Sequence, residues 1–351
     1  MTNTSVAWLA GLVADVQHNC HISDAQHARN YSLCIYLLKM REFYRWEQGY
    51  PFRTPLPKEQ LGAWLSERET LWEGLESSDF TPLRIESAPL APFDNHTINL
   101  QLVKEGWVYS GGYVGPKPHF FLAELEQVEH RHDTTIYVAG RELARELTAP
   151  PAMSLGNTIF LRRESLRRMI WEKLEEWGWG DAERPIARSV ARYDFRHDFE
   201  QALDAMTSDE LETLLQHELG EIEVGFELGG QWEEMLAALP HSRAEYQLRA
   251  IRDHLVDCRY TLPWLLDEGR ESSLHFFMAN YSALRREIFP ELEQAYRHWV
   301  SGGTLQPLKA TLLSGADRWY AEAEQALQLF RQYGEDTARL VALYSEGKPA
   351  D

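Results

Sequence analysis

Three histidine–carboxylate pairs in the second half of the chain have the residue types and spacing that bind transition metals. His217 and Glu221 are four apart, His254 and Asp257 three apart, and Glu271 and His275 four apart. Each pair therefore projects from one side of its own helix. Three helices, each giving one imidazole and one carboxylate, would supply the mixed nitrogen and oxygen set that holds two iron or manganese ions. Carboxylates offset the cationic charge and bridge the metals, and imidazoles favour iron over magnesium or calcium. Pairing alone discriminates little, because acidic residues fill 54 of 351 positions. The apolar company of each pair is more informative. Leu214, His217, Glu221, Val224 and Leu228 form one stripe, and His254 lies beside Ile251, Leu255, Cys258 and Leu262. Glu271 and His275 share a face with Met278, although the stronger apolar face of that helix is Phe277, Tyr281, Leu284 and Ile288. The competing reading is of buried, hydrogen-bonded histidines and surface ion pairs.

A second cluster, Cys20, His21, Asp24, His27 and Cys34, has the ingredients of a thiolate–imidazole metal site or an activated cysteine. Against this, Asp24 reads as the N-cap of a helix over 25–48, and Cys34 as a small core residue of that helix. With Cys258 there are three cysteines and no CxxC pair, which excludes a disulfide scaffold or a zinc finger. Arg162, Arg163, Arg167 and Arg168 open a helix where anions can bind, but Glu164, Glu172, Glu175 and Glu176 interleave with them and favour intrahelical ion pairs. His119 is an unassigned polar residue at a strand start, and His130 and His132 read as turn residues. Nucleotide-binding P-loops, GxSxG elbows, HExxH and EF-hand loops are all missing.

The elements that would carry these residues are mostly helices. Val6, Leu9, Leu12, Val13 and Val16 recur at helical spacing, with a polar break expected at Asn19–Ser23. A further helix over about 58–75 follows Pro57. Asp94 can cap a short helix ending at Gly106, and strands are expected over 107–110, 119–128, 134–138 and 158–161, with a short helix from Arg141 to Leu147. From Glu164 the pattern is helical over about 163–178, 208–228, 230–239, 242–267, 271–300 and 305–333, with breaks such as Gly229–Gly230 and Pro240. The fold class expected is mainly α with a small, largely antiparallel β-sheet (α+β). N-terminal helices and the sheet fill residues 1–162, and a C-terminal helical bundle fills 163–351.

Whole-chain composition narrows the function classes. A net charge of −19 repels phosphate backbones and anionic lipid, so neither nucleic acid nor membrane is an expected partner. Residues 201–351 hold 26 acidic and 13 basic side chains, as a solvated bundle exterior would. No stretch nears the roughly 18 apolar residues of a membrane span, and the apolar run at Val6–Ala14 lacks the preceding basic residues of a signal peptide. A cytoplasmic location is expected.

Asn30–Trp46, Lys117–Leu122 and Arg252–Cys258 resemble segments of an uncharacterised bacterial protein family over nearly the whole chain. That resemblance implies one integrated unit and transfers no catalytic residues. A more distant analogy is to the haem-oxygenase-like helical di-metal oxidases, whose sites mix three histidines with carboxylates. The ligand order here departs from their Glu-x-x-His and Asp-x-x-x-His patterns. Two functions follow as expectations. The first is a metal-dependent oxidoreductase, with iron or manganese on the six residues above, acting on a small organic substrate. The second is a non-catalytic binding or assembly protein whose acidic surface meets a basic protein partner.

Overall fold

The structure, a computed structural model, describes residues 3–27, 30–85, 88–115, 117–239 and 242–336. The break expected at Pro240 and the end of the C-terminal segment lie outside these residues, as does the side chain of Val6. The chain divides into two compact units, Met1–Trp171 and Glu172–Asp351.

The first unit opens with α1 (Asn3–His27), α2 (Leu33–Glu47) and α3 (Lys58–Glu73). A two-stranded hairpin, β1 (Leu83–Ile85) and β2 (Ala88–Leu90), leads to α4 (Asn95–Leu102). Asp94 caps α4 by accepting a hydrogen bond from the Thr97 amide. Gly106, at φ +81°, then turns the chain in a left-handed conformation that favours glycine. A five-stranded sheet follows: β3 (Trp107–Val114), β4 (Lys117–Arg131), β5 (Thr134–Arg145), β6 (Ala152–Leu155) and β7 (Thr158–Arg162), in spatial order β3-β4-β5-β7-β6. Only β5 and β7 pair in parallel, so the sheet is mixed but largely antiparallel, as expected.

Helix α1 packs on one face of the sheet, where Leu12, Val16 and Cys20 meet Tyr109, Phe120, Leu122 and Ala144. Phe121 and Ala123, pointing the other way as strand alternation requires, join Val108, Ala139, Met153 and Phe160. The first half of β4 is therefore buried on both faces.

Three local expectations are corrected. Residues from Arg141 to Arg145 continue β5 instead of forming a helix, because their backbone pairs with Phe121–Ala123 of β4. Asn19–Ser23 does not interrupt α1: Asn19 bonds the Thr81 backbone and the Ser23 hydroxyl donates to the Pro118 carbonyl, so these polar residues face protein partners. Ile35 and Leu38, whose near-helical spacing with Cys34 and Phe43 predicts one buried face over 25–48, are exposed on α2.

The second unit is helical. After α5 (Arg163–Trp177), within which the two units divide, come α6 (Pro185–Val190), α7 (Phe199–Leu228), α8 (Gly230–Ala238), α9 (Arg243–Val256), α10 (Leu262–Asp267), α11 (Glu271–Asn280), α12 (Ala283–Ile288), α13 (Pro290–Val300) and α14 (Gln306–Tyr333). Asp198 caps α7, which starts earlier than the apolar pattern suggested, and Ser242 caps α9. The expected single helix over 271–300 is three pieces, since Ser282 caps α12 and Pro290 opens α13. Val224, Leu228, Trp232, Leu248, Leu255, Leu262, Leu292 and Trp319 belong to one buried core, each worth about 1.5–3 kcal/mol of apolar burial. No described helix is long and apolar enough to cross a membrane.

Candidate functional site

Between α9 and α10 lies a π-helical turn, Asp257–Thr261, in which the Leu262 amide bonds the Asp257 carbonyl five residues back. Pro263 supplies the cause. It has no N–H to donate, and its ring would strike the carbonyl four residues before it in a continuous α-helix. The widened turn presents Asp257 and Thr261 to α7. There His217 Nδ1 lies 3.2 Å from Asp257 Oδ1 and 3.4 Å from Thr261 Oγ1. Gly220 lets α7 approach closely: a Cβ there would sit 2.9 Å from both Val256 Cγ1 and Tyr260 Cβ.

Asp257 is fully buried and also accepts a bond from the Arg285 guanidinium of α12. Because Asp257 is acceptor-only when ionised, it holds the proton of His217 on Nδ1. The other ring nitrogen, Nε2, faces Glu221 at 3.6 Å. Glu221 Oε1 accepts from Arg252 at 3.0 Å. One turn before Asp257, Asp253 completes a group in which His217, Glu221 and Asp253 each place one donor atom within 4.8 Å of the others. All three are half-buried.

The electrostatics favour a cation here. Burial pulls the His217 pKa down, but the hydrogen bond and charge of Glu221, then Asp253 and Glu218, raise it above its ordinary value. Burial raises Glu221, and the bonds and charges of His217 and Arg252 bring it well below the usual carboxylate range, to about 2. Arg252 is paired with Glu221 and Arg285 with Asp257, and the Asp253 charge acts on both arginines as well as on the imidazole.

The six residues expected as one dinuclear site do not converge. His217, Glu221 and Asp257 come together, with Asp257 orienting the imidazole through Nδ1. His254 does not join them: its ring stacks on Trp319 at 4.8 Å and meets Phe289 and Tyr281 edge-on. Neither of its ring nitrogens has a hydrogen-bond partner among the described residues. Burial and the Arg285 charge push its pKa down to about 2. His254 and Asp257 are three apart, yet the imidazole enters the aromatic core while the carboxylate faces α7. His275 bonds the Tyr296 hydroxyl at 2.9 Å and stacks on Trp299. Its pKa is lowered to about 4 by burial and by Arg188. Glu271 is exposed at the first position of α11.

Asp253, Arg252, Arg285 and Thr261 were not among the expected residues. The available signal was the i,i+4 carboxylate pair Asp253–Asp257, a like-charge spacing that destabilises a helix unless a cation faces it.

The N-terminal cluster is structural. Cys20 donates to the Phe120 carbonyl at 3.2 Å, and burial followed by the Glu146 and Asp24 charges pushes its thiol well up. Cys34 is exposed on α2, not a core residue. Asp24 is no N-cap; it is buried inside α1, accepting from Lys117 at 2.9 Å and from the Leu147 amide at 2.8 Å. His21 bonds Arg68, and burial and the Arg68 charge lower its pKa to about 3. His119 bonds the buried Glu146, which also receives Arg162, while Arg162 reaches Glu142 as well. Arg162 is therefore held by strand carboxylates, not by acids of α5, and Arg163 pairs with Glu126 of β4.

Two sequence models match the chain. Residues 11–162 match the N-terminal domain, and residues 167–347 the C-terminal domain, of a family of unknown function, DUF6866. No curated protein and no solved structure matches. With both of its domains matched in order along nearly the whole length, the chain belongs to the DUF6866 family.

Proposed function

We propose that the second unit binds one divalent transition-metal ion, iron or manganese, through His217 Nε2, Glu221 and Asp253. The observation that carries this reading is the approach of those three donor atoms to within 4.8 Å of one another. One imidazole and two carboxylates suit iron(II) or manganese(II) better than zinc or copper. Asp257, which bonds Nδ1 of His217, plays the part of the outer carboxylate that orients a ligating imidazole and fixes its tautomer. Arg285, bound to the same carboxylate, keeps Asp257 from joining the ligand set.

A metal on three protein donors keeps coordination positions open and supplies redox or Lewis-acid chemistry to a small organic substrate. This reading replaces a dinuclear centre with a mononuclear one. His217 and Glu221 are each about one-fifth exposed, so the open positions are reachable from solvent. Arg252, bonded to Glu221 Oε1 and Glu233 Oε1, would set a positive charge beside the ion for an anionic substrate group.

The test is equilibrium dialysis of the untagged full chain against Mn²⁺ and, anaerobically, Fe²⁺, followed by elemental analysis. One equivalent is expected, lost in His217→Ala and in Asp253→Asn and retained in His254→Phe and Glu271→Gln. Uptake below about a tenth of an equivalent at a structural-site affinity, or uptake unchanged in His217→Ala, would sink the proposal. Either result would favour a binding or assembly protein in which His217, Glu221, Asp257 and the two arginines form only a buried ion-pair network.

A further inference from the structure

The first unit has a cleft of about 460 Å³ between α1, α2 and α3. Trp72, 4% exposed, is one wall, and Tyr31, Tyr36 and Leu33 contribute others. The Trp72 indole nitrogen lies 3.3 Å from His21 Nδ1 behind it. The part of the Trp72 ring that meets the cleft is small, and Tyr31 and Tyr36 supply the rest of the aromatic lining. The Tyr36 hydroxyl donates to Glu69 at 3.3 Å, which leaves the second oxygen of that carboxylate for another donor. Glu69 and Glu73 line the cleft together with Glu76.

Two features of this lining point to the same ligand. Glu69 and Glu73 are four apart on one face of α3, an arrangement that costs helix stability unless a positive charge lies between them. Aromatic faces attract cations through their ring quadrupole, most strongly when the cation carries a weakly hydrated alkyl shell. The neighbouring cation of α3, Arg68, is committed elsewhere: both oxygens of Glu47 hold it at 2.7 Å, and it lies over the Phe43 and Trp64 rings. His21, held neutral by its burial and by Arg68, adds no positive charge behind Trp72. The volume lies within the range of small-molecule sites.

We infer that this cleft binds a small organic ammonium ion, its alkylated nitrogen against Trp72, Tyr31 and Tyr36 and its charge met by Glu69 and Glu73. This inference is independent of the metal reading, since every residue in it belongs to the first unit.

The experiment is calorimetric and fluorescence titration of the full chain at low salt with choline, with spermidine and with 3,3-dimethylbutan-1-ol, the uncharged isostere of choline. Choline or spermidine should bind one to one and perturb tryptophan emission, and the alcohol should bind at least about tenfold more weakly than choline. Glu69→Gln/Glu73→Gln, a double substitution at exposed positions that leaves the fold intact, should weaken amine binding by about tenfold or more. The inference is overturned if neither amine binds at about 10 mM, if the alcohol binds as well as choline, or if the double variant binds both amines unchanged. That last outcome would mean diffuse attraction to an acidic surface.

Discussion

Glu210 of α7 is 2% exposed, and burial raises its pKa to about 7 despite the opposing pull of Ser273 and Thr213 hydroxyls. The sign of its effect follows from linkage. A carboxyl whose folded pKa is raised binds its proton more tightly in the native state, so its stabilisation is complete below the unfolded value near 4.3 and is lost as pH rises toward 7. Glu210→Gln keeps the shape and removes the titration. Its unfolding free energy should exceed that of the parent by on the order of 2–3 kcal/mol at pH 7.5. The two should converge below pH 4. Urea unfolding across pH 4–8 measures this, and a constant offset across that range would show that Glu210 is not buried as a neutral acid. His254 belongs to the same scale. As a ring enclosed by Trp319, Phe289 and Tyr281 with no side-chain partner for its nitrogens among the described residues, it is a residue that Phe can replace while the nearby Arg285 carbonyl keeps its bonds from Tyr281 and the Phe289 amide. That is why His254→Phe serves as a folded control for metal uptake.

At the scale of elements, the pairing of α7 with α9 and the π turn decides which carboxylates meet His217. Gly220 sets the distance. In an ordinary helix interior Gly→Ala gains about 1 kcal/mol, but here the new methyl would lie 2.9 Å from Val256 and Tyr260, and overpacking costs about 1–3 kcal/mol. Gly220→Ala should therefore lower stability by on the order of 1–2 kcal/mol and weaken Mn²⁺ uptake as well. A variant more stable than the parent would show that α7 does not make this close approach. The same elements explain what could be read in the sequence. His217–Glu221 was legible because both lie on one helix, bracketed by Leu214 and Val224 in a regular stripe. Asp253 was missed because its partner is on another helix; its spacing from Asp257 marks a like-charge pair but not what faces it. His254–Asp257 misled for the related reason that residues three apart stand only about 60° apart around a helix, yet the imidazole packs among core aromatics while the carboxylate, at the start of the π turn, meets α7. The Arg141–Leu147 segment was misread as helix because Arg, Glu, Leu and Ala are strong helix formers, and the β4 backbone overrides that preference. Asp94 and Gly106 did mark element ends, since caps and breakers act locally.

Over the whole molecule, acidic side chains gather around particular groups in two places. One carboxylate set lines an aromatic cleft in the first unit; the other surrounds an imidazole in the second. Their elements do not overlap: Ala25, Tyr36 and Trp72 lie on α1, α2 and α3, while His217, Glu221 and Asp253 lie on α7 and α9. A ligand stabilises the conformations that bind it, and raises the cost of local opening most where its contacts are made. Amide hydrogen exchange of the full chain should therefore separate the two sites. Saturating Mn²⁺ should slow exchange in α7 and α9, by roughly tenfold to a hundredfold at ligand concentrations ten to a hundred times Kd. Choline at the same relative saturation should slow α2 and α3. Protection by Mn²⁺ confined to α2 and α3 would place its carboxylates in the cleft and refute the His217 assignment. Protection by choline confined to α7 and α9 would refute the cleft in the same way. His217→Ala should erase only the manganese effect, and Glu69→Gln/Glu73→Gln only the choline effect, because each substitution removes a charge or donor that the other site does not use.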